Sequence, residues 1–186
     1  EWLADIRRQT QRLTELTSEL IMLAKTEEGG RKSMVAVEFP VSDVIAETAE
    51  SYKAPAQLQN KKFNCDIEQG LAMTGDPKMI GQLVGIFLDN AVKYTPDGGR
   101  IDLKLARNGR NIVLNCKNTT QERIPKDKLK HLFDRFYRTD ESRNSGTGGY
   151  GIGLSIAKTI VETHKGKISA SCGEGNLLST TVALPS

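Results

Sequence analysis

Cysteine is scarce: Cys65, Cys116 and Cys172 are the three in the chain, far apart and without C-x-x-C spacing. That excludes a disulfide framework, offers no zinc ligand set and fits a reducing compartment. No apolar run approaches the roughly 18 residues that a membrane-spanning helix needs. The N-terminus is amphipathic and acid-containing, which is not a signal-peptide pattern. We therefore expect a cytoplasmic chain with no membrane contact of its own. Aromatic residues make up 5% and the formal net charge is +3. Neither a stacking platform nor a basic track is available, so nucleic acid is excluded as a partner. There is no initiating Met, and the first residues already follow a helical pattern, so the chain is expected to be a piece of something larger.

What is present is a chain of 186 residues, 38% hydrophobic and 26% charged, enough to bury a core and carry an appendage. Residues 1–28 carry two interleaved heptad series, Leu3, Thr10, Thr17 and Ala24 with Ile6, Leu13 and Leu20, widened by Leu16 and Leu23. Such a seam predicts one long helix that pairs in a bundle. The glycine-containing, charged residues 29–33 read as a linker, and residues 34–186 as a domain.

Within that domain, "MVAVEF" reads as a strand and "VSDVIAETAESYKAPAQLQNK" as a helix with Ser42 or Asp43 near its start. "KFNCDIE" alternates as a strand does. A helix follows, with Asp76 as its N-cap and Pro77 at its first position. "RIDLKLARNGRNIVLNCKN" predicts a hairpin joined at Asn108-Gly109. A helix over Pro125 to Phe133, a long polar segment, a helix over Ile152 to His164 and two strands complete the chain. The fold class expected is α+β: a two-layer α/β sandwich, with helices on one face of a mixed, mostly antiparallel sheet, preceded by the N-terminal helix.

Glycine is abundant in one place. "SGTGGYGIGL", Ser145 to Leu154, holds five glycines in ten residues and leads into an apolar helix. The GxxxxGK[ST] loop fails, because Leu154 and Ser155 follow Gly153. The dinucleotide fingerprint fails because no strand precedes the glycines. What stays open is a flexible hinge or a helix start whose free N–H groups face an anion. A second stretch, "IFLDNAVKYT", places Ile86, Asn90 and Lys93 along one edge of an apolar stripe formed by Ile80, Leu83, Val84, Phe87, Leu88 and Ala91. An Asn there can offer a carboxamide oxygen to a hard cation, and a Lys one turn on can reach a phosphate; a plain solvated edge reads the same way.

Taken in order, "FLDNAVKYTPDGG", "HLFDRFYRTDESR" and "GGYGIGLSIAKTIVETHKGKI" resemble the N box, F box and second glycine box of bacterial sensor histidine kinases. These kinases belong to the ATP-binding superfamily shared with gyrase and heat-shock ATPases, and its Bergerat-type fold is the sandwich expected above. The N-terminal helix resembles the second helix of the dimerisation and histidine-phosphotransfer hairpin. The resemblance implies ATP and Mg2+ as cofactors, with Asn90 holding the metal, Lys93 contacting phosphate and Tyr94 lining the pocket. It places Tyr137 and Arg138 in a lid, with Arg138 at the γ-phosphate. Gly149, Gly151 and Gly153 would let the lid hinge and bring backbone N–H groups to the phosphates, and Asn118 would meet the adenine. Ile124, Phe133, Tyr150, Ile152, Leu154 and Thr180 complete the implied pocket.

The resemblance further implies a parent that dimerises through its helical hairpin, is anchored in the cell membrane and passes phosphate to a response regulator. The departures are specific. Asn118 stands where the family carries Asp, and Thr119 and Thr120 replace the first glycine box. Ile86 stands where hydrolytic relatives carry a water-activating Glu, which removes a general base. Neither His131 nor His164 has the phosphoacceptor context, so the acceptor histidine is expected on a helix absent from this chain. An ATP hydrolase, a serine kinase of the anti-sigma type and a nucleotide-binding module without kinase activity are the rival readings. Lys61 lies outside every motif, and its replacement by alanine is expected to leave metal and phosphate binding unchanged.

Overall fold

The computed structural model describes residues 36–137 and 151–186, together with Trp2, Ile6, Thr10 and Thr17. Those four N-terminal positions are helical and exposed, in keeping with the N-terminal helix read from the heptads. The expectations for most of residues 1–28, for the linker at 29–33 and for the residues up to 35 lie outside the described residues, as do Arg138, Gly149 and Tyr150.

The order of elements is β1 (Val37–Pro40), α1 (Val41–Leu58), β2 (Lys62–Ile67), β3 (Ala72–Gly75), α2 (Pro77–Tyr94), β4 (Arg100–Asn108), β5 (Asn111–Thr119), a single turn α3 (Lys126–Leu129), α4 (Gly153–Thr163), β6 (Lys167–Cys172) and β7 (Leu177–Pro185). Five strands form one sheet in the order β2-β4-β5-β7-β6. The β2–β4 pair is parallel and the other three pairs are antiparallel. β1 and β3 make a separate antiparallel pair.

Period-two alternation decides which side of the sheet is covered. Ile101, Leu103 and Leu105 of β4, Ile112, Leu114 and Cys116 of β5, and Val182 and Leu184 of β7 are all buried on one face. Against that face α1 lies over β2, α2 over β5 and α4 over β6, with α2 packed between the other two helices. The other face is polar. There the Asn115 carboxamide donates to Ser179 Oγ at 2.9 Å and Thr181 Oγ1 at 2.7 Å, three side chains in neighbouring register. The expected two-layer sandwich is therefore present. Among the described residues no helix is long and apolar enough to cross a membrane.

Local details differ from the sequence reading, each for a physical reason. The hairpin loop is Gly109-Arg110, one residue beyond the expected pair, because Asn108 pairs with Asn111 and only Gly109 takes the left-handed φ of 61°. A positive φ at the first loop residue costs glycine least. The helix expected over Pro125 to Phe133 is the single turn α3, followed by turns. β3 was hidden in "GLAMTGD" because four residues are too few for alternation to register. Ser42 and Asp43 lie in the first turn of α1, as expected, with Pro40 at the N-cap position. Ser42 is buried, donating to the Glu68 carbonyl at 2.7 Å and accepting from the Leu71 N–H at 3.0 Å. It ties the first turn of α1 to the β2–β3 connection. The N-cap of α2 is as expected, with Asp76 accepting from the N–H groups of Lys78 and Met79.

Candidate functional site

Two of the sequence motifs meet. α2 buries Ile80, Leu83, Val84, Phe87, Leu88, Ala91 and Val92, so its remaining faces present Ile86, Asn90 and Lys93, all half-buried. α4 begins at Gly153, and a Cβ built there would lie 3.6 Å from Ile86 Cγ2 and 4.0 Å from Asn90 Nδ2. The glycine-box helix thus starts directly on the Asn90 edge of α2. Asn90 Nδ2 donates back to the Ile86 carbonyl at 2.7 Å. That bond fixes the carboxamide and leaves its oxygen as the group it can offer a ligand. The four N–H groups that open a helix have no intrahelical partner and carry its positive end. Asn90 and that positive end are brought together.

Lys93 and Tyr94 close α2. The Lys93 ammonium lies 5.1 Å from the centroid of the Tyr94 ring, a cation–π distance. Tyr94, Leu154 and Tyr137 are half-buried, as is Ile124 in the segment before α3. Asn118 is 6% exposed, on the covered face of the sheet and paired in register with Ile101, the second residue of β4. Its Nδ2 donates to the Thr119 carbonyl at 3.1 Å, so the acceptor end of this carboxamide is also set by the chain itself. Thr180 is half-buried on the same face, in register with Cys116 and so diagonal to Asn118.

The residues that replace the first glycine box are fixed by hydroxyl bonds. Thr119 Oγ1 accepts from the Arg100 N–H at 3.1 Å. The Thr120 hydroxyl lies 2.8 Å from the carbonyls of both Glu122 and Asn176. Asn176 completes the lock by donating from Nδ2 to the Gln121 carbonyl at 3.1 Å. Nothing in the sequence singled out Asn176.

Three of the expected site residues have close protein surroundings of their own. Ile152 is fully buried and packs in the hydrophobic core. What approaches Gly151 most closely is protein: a Cβ there would sit 2.6 Å from the Tyr137 carbonyl oxygen and 2.9 Å from the Phe136 carbonyl carbon. Gly151 also takes a φ of 74°, and its carbonyl accepts the Phe136 N–H at 3.0 Å. Backbone contact and a left-handed φ therefore both call for a residue without a side chain here. Phe133 lines a cleft of about 420 Å3 with Asp134, Arg135, Ser155, Lys158, Thr159 and Glu162, against the middle of α4.

The two histidines have different settings. His164 is buried at the end of α4, bonded on one ring nitrogen to the Ile160 carbonyl and on the other to the Asp76 N–H. Both ring nitrogens are thus engaged within the fold. His131 is exposed, with Nδ1 2.7 Å from Asp134 Oδ2 and its ring 5.6 Å from that of Tyr137. On the far side of α2, the Tyr52 hydroxyl donates to Asp89 Oδ1 at 2.8 Å, and burial first, then Asp89, pushes its pKa up. Among the described residues, no group of three or more His, Cys, Asp or Glu could hold a metal. A cation here would rest on Asn90 and on oxygens supplied by a ligand.

A family model described as histidine kinase-, DNA gyrase B-, and HSP90-like ATPase matches residues 75–186. The chain is 33% identical over 169 residues to the sensor protein CiaH of Streptococcus pneumoniae, an alignment covering 91% of this chain and 37% of that protein. It thus spans little more than a third of that relative's length. Among solved structures, full-length ShkA in complex with AMPPNP superposes with a TM-score of 0.82 at 18% identity, covering 99% of this chain and 38% of that one. The histidine kinase ThkA in complex with the response regulator protein TrrA gives 0.77 at 21% identity, covering 95% and 48%. At such identities the two structures speak for the fold.

Proposed function

We propose a function from the premise that this chain belongs to the histidine kinase-, DNA gyrase B- and HSP90-like ATPase family: it is the ATP-binding catalytic unit of a two-component sensor histidine kinase. One observation carries the reading: the start of α4 at Gly153 rests on Asn90 and Ile86 of α2. A carboxamide oxygen beside the open end of a helix suits a metal-bound polyphosphate, the oxygen taking the cation and the N–H groups the anion. Mg2+ fits a donor set of this kind, because it keeps waters and takes substrate oxygens besides one or two from the protein. Bound there, it would neutralise phosphate charge. Lys93 and Arg138 would add cationic groups, and Asn118 Oδ1 would accept from the adenine amino group.

Ile86 favours transfer over hydrolysis, because the side chain facing Gly153 is an alkyl group and cannot take a proton from water. Phosphoryl transfer needs alignment and charge neutralisation more than covalent help from the protein. The acceptor would be a histidine on a partner helix of the N-terminal hairpin. The parent would be a membrane-anchored dimer that serves a response regulator. Titration calorimetry with AMPPNP and Mg2+ tests binding, and transfer of labelled phosphate to a separately produced acceptor hairpin tests the activity. Binding without transfer would leave the nucleotide-binding module without kinase activity, and absence of both would end the reading.

A further inference from the structure

Lys61 is 8% exposed, between α1 and β2. Its ammonium donates to the Val92 carbonyl and, at 2.8 Å, to Gln59 Oε1. Lysine is among the residues least often buried, and taking its charge out of water is costly unless the charge is bonded. Burial holds the Lys61 pKa below its ordinary value, against a smaller opposing pull from Asp97. The chain bears this cost at one particular place.

The last four carbonyls of a helix have no intrahelical donor. In α2 the Ala91 carbonyl is met by the Thr95 N–H at 3.0 Å, and the next one, Val92, by Lys61. A cation at a helix C-terminus also opposes the negative end of the helix dipole. The Val92 carbonyl and the Lys93 N–H belong to one planar peptide unit, so the bond sets the plane from which Lys93 departs. The surrounding backbone keeps the lysine in place. Asn60 takes a φ of 53°, Gly98 N–H donates to the Asn60 carbonyl at 3.0 Å, and Lys62 N–H donates to the Gly99 carbonyl at 2.9 Å. The connections α1–β2 and α2–β4 are thereby stitched together behind the end of α2.

We propose that Lys61 is a positioning residue for the nucleotide site, fixing through the Val92 carbonyl the C-terminal end of α2, whose last turn carries Lys93 and Tyr94 and follows directly on Asn90. The inference rests on the function proposed above. It also withdraws Lys61→Ala as a neutral control, since the side chain removed is a buried clasp.

The test compares wild type, Lys61→Met, Lys61→Gln and the exposed-lysine control Lys104→Met in three measurements. These are the affinity for AMPPNP with Mg2+, the denaturation midpoint, and amide hydrogen exchange of residues 91–95 without nucleotide. Methionine keeps the stem and removes the charge; glutamine is too short to reach. Well below the midpoint, Lys61→Met should bind at least about fivefold more weakly, since a slightly displaced constellation loses much of its effect. Exchange at Lys93, Tyr94 and Thr95 should rise, and Lys104→Met should match wild type. A lysine that serves only stability would lower the midpoint and leave affinity unchanged, and that result overturns the proposal. Equal loss in Lys104→Met overturns it too, as a nonspecific charge effect. If Lys61→Met does not fold, Lys61→Gln is read by the same criteria. Wild type that binds no nucleotide would defeat the proposed function and this inference with it; wild type that binds beside an unchanged Lys61→Met defeats the inference alone.

Discussion

The imidazole of His164 fills the space that a side chain at Gly75 would need: a Cβ built there would lie 2.6 Å from its Cδ2 and 2.8 Å from its Nε2. That nitrogen accepts the Asp76 N–H at 3.0 Å, while the other ring nitrogen donates to the Ile160 carbonyl at 2.8 Å. One side chain therefore joins the end of the glycine-box helix to the beginning of the Asn90 helix. Both helices that make the candidate site share this joint.

Gly75→Ala should destabilise the fold by about 1–3 kcal/mol, the usual cost of overpacking. His164→Ala removes the obstruction but leaves the Asp76 N–H without its acceptor, so it should destabilise as well. Because the residues touch, the double variant should lose less than the sum of the two single losses. Urea denaturation of the four proteins checks this; strict additivity would mean that the contact carries no energy.

Asn90→Asp retains an oxygen for the cation but replaces the Nδ2 donor with a second acceptor facing the Ile86 carbonyl. The carboxylate should turn away from its present orientation. We expect affinity for Mg2+–AMPPNP to fall by on the order of tenfold, about 1.4 kcal/mol. Calorimetry with and without EDTA separates the metal-dependent part. Affinity equal to wild type would remove Asn90 from the site.

Gly151→Ala meets two penalties. A left-handed φ costs a residue with a Cβ about 1–2 kcal/mol, and the new atom would press on the Tyr137 carbonyl. Stability and nucleotide affinity should both fall. Gly109→Ala, which has a positive φ but open space around it, should show the stability loss alone. Thermal denaturation together with nucleotide titration distinguishes the pair.

Burial pushes the Cys116 thiol up to about 12, from 9.0 in the open chain. Above pH 9.0 the unfolded chain releases this proton while the folded chain keeps it, so stability from this group is full below 9.0 and lost as pH rises towards 12. Cys116→Ala should lack that slope. In the native protein iodoacetamide at pH 8 should label Cys65, which is exposed, more slowly than a free thiol because partial desolvation of its sulfur raises its pKa, and leave Cys116 untouched. Mass spectrometry of digested protein reads both sites.

What was legible in the sequence was whatever repeats or carries its own chemistry. The apolar stripe of α2 from Ile80 to Ala91 read correctly because a long helix gives its period several chances to show. Asp76-Pro77 announced the start of that helix, since side-chain acceptor and fixed φ are local properties. Asn90 and Gly153 stood out by motif, and the fold brings them together. Gly151 stood out as part of a glycine-rich stretch, but its contact with the Phe136–Tyr137 backbone did not, because no local pattern reveals a contact across the fold. Lys61 and Asn176 stayed hidden for a similar reason. A lysine or asparagine between regular elements reads as surface, and only the tertiary arrangement makes one a helix clasp and the other a loop tie. β3 was too short to announce itself.

The bond from the Phe136 N–H to the Gly151 carbonyl spans the stretch numbered 138 to 150. On its far side α4 commits Ile156, Ala157, Ile160 and Val161 to the common core. A protease that severed the chain inside that stretch would therefore yield two fragments that elute together under native conditions and separate only in denaturant.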